Sequence, residues 1–295
     1  MIFFIYDPEQ RHAFFTEQTV GVEVVSRVKN TVQLNMIPSN CLTTPVIPIL
    51  HSSDGTPLLK SNLQKAIRRC ETDVALQTAI LLLQRDPMEM LRRLPIIAVE
   101  DVSLIDSFPV MVWLMMAGAS YRLTTHDIDT VLHIVWTLSE ARQAVEYTKC
   151  AGAPDISNIS ILTAVYYRWK YGGMKGDLEL LHGVIRYHNE HNNHNDHNNH
   201  ILTTRYKQIS YDKIAKEPIV LVESIDFHPF PAMLTYLSLD TGLTKDVIRE
   251  WIWKVDSRIN ERKAWTHTEA CRYRNTPEWR MIEPCLDDVR MSFLT

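Results

Sequence analysis

Apolar positions keep two different periods along this chain, and the change from one to the other divides it. Over 2–6, 20–28 and 31–37, β-branched residues partly alternate with polar ones, the period of a strand, and Pro38, Pro45, Pro48 and Pro57 punctuate the remainder as loop. A few short strands and an extended arm are therefore predicted over 1–59. From residue 60 to about 187 the period becomes helical. Leu63, Ile67 and Cys70 share one face of a first helix, with Lys65, Arg68 and Arg69 near its end, where cations complement the helix dipole. Glu71, Thr72 and Asp73 interrupt that face with cap-type residues before the pattern resumes over 74–83. Asp86-Pro87 then combines an N-cap with a proline at the first helical position, and Met88, Leu91, Leu94 and Ile97 or Ala98 keep one face of the next helix apolar.

A Thr-Thr-His-Asp start predicts another helix over 125–148, with Ile128, Val131, Leu132, Val135, Trp136 and Leu138 on one side. Beyond 187 a polar tract intervenes, and 219–222 reads as a short strand or buried turn. Residues 245–263 read as a helix carrying Val247, Trp251, Val255 and Ile259, and 266–295 as short helices joined by Pro277 and Pro284. The expected fold is mainly α: a helical bundle over 60–187, a small β or extended region before it, a His/Asn loop at 188–200, and a mainly helical region over 201–295.

Within the bundle a spaced motif stands out. It consists of Leu63, Lys65, Ile67 and Arg68, an acidic turn with Asp73, Ala75 and Leu76, and then Asp86, Pro87, Arg92, Arg93, Leu94, Ala98, Glu100, Asp101 and Val102. This pattern resembles the start of the C-terminal domain of the RarA (MgsA) family, clamp-loader-like AAA+ ATPases that include Werner-helicase-interacting protein. The resemblance covers 63–106 and fades towards Thr137. It implies an all-helical domain that joins ATPase subunits at replication forks, and hence a non-catalytic interaction and oligomerisation protein of DNA replication, recombination or repair. The implied partners are further copies of the chain and an ATPase or other replication-fork protein. The charged positions expected at such an interface are Lys65, Arg68, Arg69, Arg92, Arg93, Glu100 and Asp101.

The ATPase module of that family has no counterpart here. None of the nine glycines sits in a G-x(4)-G-K-(S/T) loop, whose backbone amides cradle phosphates. Gly172-Gly173-Met174-Lys175-Gly176 has the wrong spacing and reads as a helix end and turn, so no nucleotide or other cofactor is expected. With 45% hydrophobic residues in 295, the chain can bury a substantial core. A net charge of -4 argues against a basic sheath for nucleic acid. Five widely spaced cysteines without a C-x-x-C pair indicate neither a disulfide framework nor a zinc ribbon. Together with apolar runs too short to span a bilayer, they point to an intracellular location, cytoplasmic or nuclear.

Three further groups carry candidate chemistry. His188, His191, His194 and His197 recur every third residue, a spacing able to ligate metal, but so pure a His/Asn repeat reads as a low-complexity loop and no metal is expected. Basic and aromatic residues interleave near the C-terminus, at Trp251, Trp253, Arg258, Arg262, Lys263, Trp265, Arg272, Tyr273, Arg274, Trp279 and Arg280. From this cluster Arg262, Lys263, Trp265, Arg272, Arg274, Trp279 and Arg280 form a candidate single-strand-binding surface, the alternative function. Asp226 and His228 are a candidate acid/base or metal pair for a hydrolase, the third reading. No catalytic set emerges, because two residues make no site and adjacent carboxylates such as Glu100 and Asp101 diverge on a helix.

Overall fold

The computed structural model describes residues 1–28, 31–39, 46–156, 160–192, 201–207, 209–214, 219–227 and 231–293. A four-stranded sheet opens the chain, in the order β2-β1-β4-β3, formed by β1 (Ile2–Asp7), β2 (His12–Thr16), β3 (Val22–Val28) and β4 (Val32–Met36). Strand β1 lies antiparallel to β2 and parallel to β4, with Phe4 opposite both Phe15 and Leu34. Phe4, Ile5 and Tyr6 are wholly buried, so both faces of β1 are covered and its sequence shows a continuous apolar run rather than alternation. Strand β2, too short to show a period, was not legible in the sequence. Arg11, at the end of the β1–β2 turn, has φ 49°, a left-handed conformation uncommon outside glycine.

The sheet shares one core with the helices that follow. These are α1 (Thr56–Arg68), α2 (Thr72–Arg85), α3 (Pro87–Ile97), α4 (Phe108–Ala117), α5 (Thr125–Glu140), α6 (Ile161–Tyr171) and α7 (Lys175–Asn192). Asp86 caps α3 as its sequence predicts, its side chain accepting from the Glu89 amide at 3.1 Å. Pro95 sits inside α3, and the helix widens directly after it into a π-helical turn at 98–102 that carries Glu100 and Asp101. Every residue of α4 is buried, and Trp113 donates from Nε1 to the Phe4 carbonyl at 3.0 Å. A capping box of Thr124 and Asp127 opens α5, and Tyr6 also donates to Asp127 at 2.7 Å.

A second, smaller core follows, built from a 3-10 turn at 222–227, α8 (Pro231–Thr241), α9 (Lys245–Ile252), a π-helical turn at 253–257, α10 (Ala264–Arg274) and α11 (Pro277–Ser292). Met233, Leu237, Ile248, Ile252, Trp279, Ile282 and Leu286 fill it. Among the described residues no helix is long and apolar enough to cross a membrane.

Several expected boundaries shift, each for a tertiary reason. Cys70 lies outside α1: its φ of 60° ends the helix, and the Glu71 amide bonds back to the Ala66 carbonyl at 2.9 Å. The helix expected over 125–148 stops at Glu140. Beyond it the chain runs along other elements, with the Val145 amide on the Val102 carbonyl at 2.7 Å and the Cys150 amide on the Glu179 carbonyl at 3.0 Å. The helix expected over 245–263 also ends early, and 258–263 becomes a loop that docks on α1. Pro284 lies inside α11 rather than between helices. His188 to Asn192 extend α7 instead of starting a loop, and buried His188 lies 3.3 Å from the Tyr147 hydroxyl. The remainder of the tract, including His194 and His197, falls outside the described residues, as do Cys41, Pro45, His228 and Pro229.

Candidate functional site

The polar side of α1, which in isolation would face water, is covered by the second core and the chain leading into it. Ser61, Asn62, Gln64, Lys65 and Arg68 are all buried, so each needs a partner. Ser61 donates to the Ser224 carbonyl. Asn62 donates to Thr78 at 2.8 Å and to the Ile219 carbonyl at 2.9 Å, and accepts from the Leu221 amide at 2.8 Å. Gln64 donates to Asp101 at 2.7 Å and to Glu100 at 3.0 Å.

Most of the charged motif converges here. Arg68 donates from Nε to Asp101 at 2.6 Å and from Nη1 to the Ser257 carbonyl at 3.1 Å. Its Nη2 lies 3.6 Å from Glu100, which Arg93 approaches at 3.4 Å. The π-helical turn makes this convergence possible: Glu100 and Asp101, adjacent in sequence, both reach Gln64 and Arg68. Lys65, fully buried, donates to the same Ser257 carbonyl. Burial first, and then repulsion from Arg68 and Arg69, push its ammonium down to about 7, with Asp226 opposing. Arg69 reaches Glu223 at 3.2 Å and the Ile259 carbonyl at 2.7 Å. These contacts join two cores of one chain, so Lys65, Arg68 and Asp101 are closed to a second subunit in this arrangement. Arg92 stands apart, half-exposed, 3.5 Å from Glu89 and over the Tyr171 ring.

The basic and aromatic C-terminal cluster is divided by the fold. Arg262 lies across two helix ends, donating to the Ile67 carbonyl of α1 at 2.6 Å and to the Leu138, Ser139 and Ala141 carbonyls at the end of α5 at 2.7–2.8 Å. Lys263 donates to the Glu100 carbonyl at 3.1 Å. Trp279 is part of the second core, and Trp265 is covered on one face by Arg258 at 4.6 Å. Arg272, Arg274 and Arg280 are exposed. A row of open aromatic faces, which base stacking requires, is therefore not assembled by these seven residues.

Asp226, the hydrolase candidate, is buried and held by Arg290 through both Nε and Nη2, with Ser257 donating to it at 3.1 Å. Burial raises its carboxyl despite the Arg290 charge. Arg290 also bonds Asp256 at 2.7 Å, closing α11 onto the π-helical turn at 253–257.

Two groupings had no clear signal in the sequence. A cleft of about 750 Å³ is lined by Arg11, Asp129, His133, Tyr206 and Tyr211, from the β1–β2 turn, α5 and the segments 201–207 and 209–214. Arg11 bonds Asp129 at 2.7 Å and Tyr211 donates to the same carboxylate at 2.5 Å, while His133 lies 2.8 Å from the Asp129 carbonyl through Nδ1 and 2.5 Å from the Lys207 carbonyl through Nε2. Burial lowers the His133 imidazole, but its bonds to Asp129 and Lys207 outweigh this and raise it. Arg11 Nη1 also lies 3.3 Å from Nδ1, so both ring nitrogens of His133 are engaged by neighbouring groups of the protein. The second grouping surrounds Arg168 on α6. Helical periodicity does not identify either one, because their members come from separate elements.

Compared with known protein families, curated proteins and solved structures, the chain matches no family model, no curated protein and no solved structure.

Proposed function

We propose that this chain is a non-catalytic interaction and oligomerisation module of DNA replication, recombination or repair, resembling the RarA C-terminal domain without its motor. It acts within the cell by self-association or by docking a replication-fork ATPase. One observation supports the reading above others: while Arg68, Arg93, Glu100 and Asp101 meet around Gln64 and tie α1, α3 and the π-helical turn together, Arg92 of the same motif stays outside that cluster and is open to an acidic partner. Charges used in this way stiffen a scaffold, and Arg92 is left as the outward-facing cation of the motif.

The test is mass in solution across a range of concentrations, for the wild type and for Arg92→Glu. Arg92 is 53% exposed and its reversal leaves the internal cluster in place. Concentration-dependent assembly, weakened about tenfold by the reversal, is expected if Arg92 meets an acidic group across the interface. A wild type that stays monomeric alone and in the presence of a clamp-loader-like ATPase overturns the reading.

A further inference from the structure

A cleft of about 330 Å³ lies where α3, α6 and the start of α7 meet, and its wall is unusually rich in cations. Lys60, Arg92, Arg93 and Arg168 line it against two carboxylates, Glu89 and Asp177, with Pro57 and Met174 supplying an apolar edge. Lys60 bonds Glu89 at 2.5 Å and Arg92 shares the same carboxylate. Arg93 lies 3.7 Å from Asp177 and 3.4 Å from Glu100.

Arg168 is the decisive residue. Its side chain is 4% exposed. Nη1 donates to the Gly172 carbonyl at 2.7 Å and Nη2 to the Arg92 carbonyl at 3.0 Å, whereas buried Nε has no hydrogen-bond partner. Carbonyls satisfy donors but do not neutralise a charge, and a buried cation ordinarily sits against an anion. Burial above all, opposed by Asp177 and reinforced by Arg92 and Arg93, brings the guanidinium down to about 10. Gly173, at φ 156°, adjoins this guanidinium, and a Cβ there would make ordinary contact with Nη1 at 3.7 Å and with the Asp177 carboxylate at 3.8 Å.

We infer that this cleft binds the phosphoryl group of a small phosphate monoester, with Arg168, Arg92, Arg93 and Lys60 around its oxygens and Pro57 and Met174 beside the ester carbon. The lining cations outnumber the lining carboxylates, and a phosphoryl group, which carries close to two negative charges at neutral pH, supplies the anion that Arg168 lacks. The forked donors of Arg92 and Arg93 also suit a group with three terminal oxygens, and Arg168, whose Nη atoms serve carbonyls, adds its charge behind them. The volume is at the small end for ligand pockets, which favours a compact ester. This inference does not depend on the oligomerisation reading, and its test reads binding rather than mass.

The test is calorimetry and thermal unfolding with inorganic phosphate and with glycerol phosphate, at ionic strength held constant with sodium chloride. A heat of binding and a raised midpoint are expected for the wild type. Affinity should fall about tenfold or more in Arg168→Gln, the loss of one charged hydrogen-bonding partner. Should that variant fail to fold, the Lys60→Gln, Arg92→Gln double variant, at partly exposed positions, decides by the same loss. Tighter binding of glycerol phosphate identifies an ester, and binding of inorganic phosphate alone overturns the ester in favour of the free ion. No binding of either compound, equal binding by the variants, or an equal midpoint rise in chloride alone overturns the site.

Discussion

At the scale of the residue, Lys65 shows how a sequence reading and a fold assign one side chain differently. Three residues from the end of α1 it looks like a solvated cation complementing the helix dipole, yet it lies wholly buried against the Ser257 carbonyl. An ordinary lysine titrates at 10.5 and this one at about 7, so between those values the unfolded chain holds a proton that the native chain has released. Stability should therefore rise with pH across that window, by at most about 1.4 kcal/mol per unit. Lys65→Met removes the buried ammonium, and Arg68 still serves the Ser257 carbonyl. The variant should be as stable as the wild type or about 1 kcal/mol more stable near pH 7, with that advantage shrinking towards pH 9. Urea unfolding at both pH values checks this. A loss above about 2 kcal/mol at pH 7 would show that the ammonium contributes net stability where it sits.

At the scale of the element, the strongly periodic pieces were legible. The hairpin of α1 and α2, the proline-opened α3, the Thr-initiated α5 and three of the four strands all follow from local pattern and cap chemistry. The ends of α5 and α9 were not, because hydrogen bonds from distant segments decide where those helices stop. Arg262 is the clearest case. Among aromatics and cations it reads as a nucleic-acid contact, but it serves four carbonyls at the ends of α1 and α5. Replacing it with Met leaves those helix ends without their donor, and about 3 kcal/mol of stability should be lost. A drop below about 1 kcal/mol in denaturant unfolding would mean that water replaces the guanidinium at little cost. The candidate site followed the same rule. Motif spacing marked the residues of the Arg68–Asp101 cluster, but nothing local showed that Ser257, Asp226 and Arg290 would close over it, or that Arg168 would be buried beside Gly173.

At the scale of the whole molecule, the joint between the two cores is mostly polar. Leu58 packs against the second core, but the remaining contacts described above are carbonyls, amides and charges, which water can replace when the parts separate. The smaller core, filled by far fewer apolar residues, should come away before the larger one melts. Native-state hydrogen exchange at rising urea should give 231–293 a lower opening free energy than α2, α4 and α5. A single value shared by both parts would show that the joint couples them fully. The sheet has a different consequence, for biosynthesis. Its central strand β1 is made first, but the Trp113 that caps the Phe4 carbonyl comes 109 positions later. At about 5–20 residues per second, Phe3, Phe4, Ile5 and Tyr6 must wait about 5–20 s on the ribosome before their cover is translated. Throughout that interval this apolar strand depends on a chaperone, or on the β2 hairpin alone, to keep it from neighbouring chains.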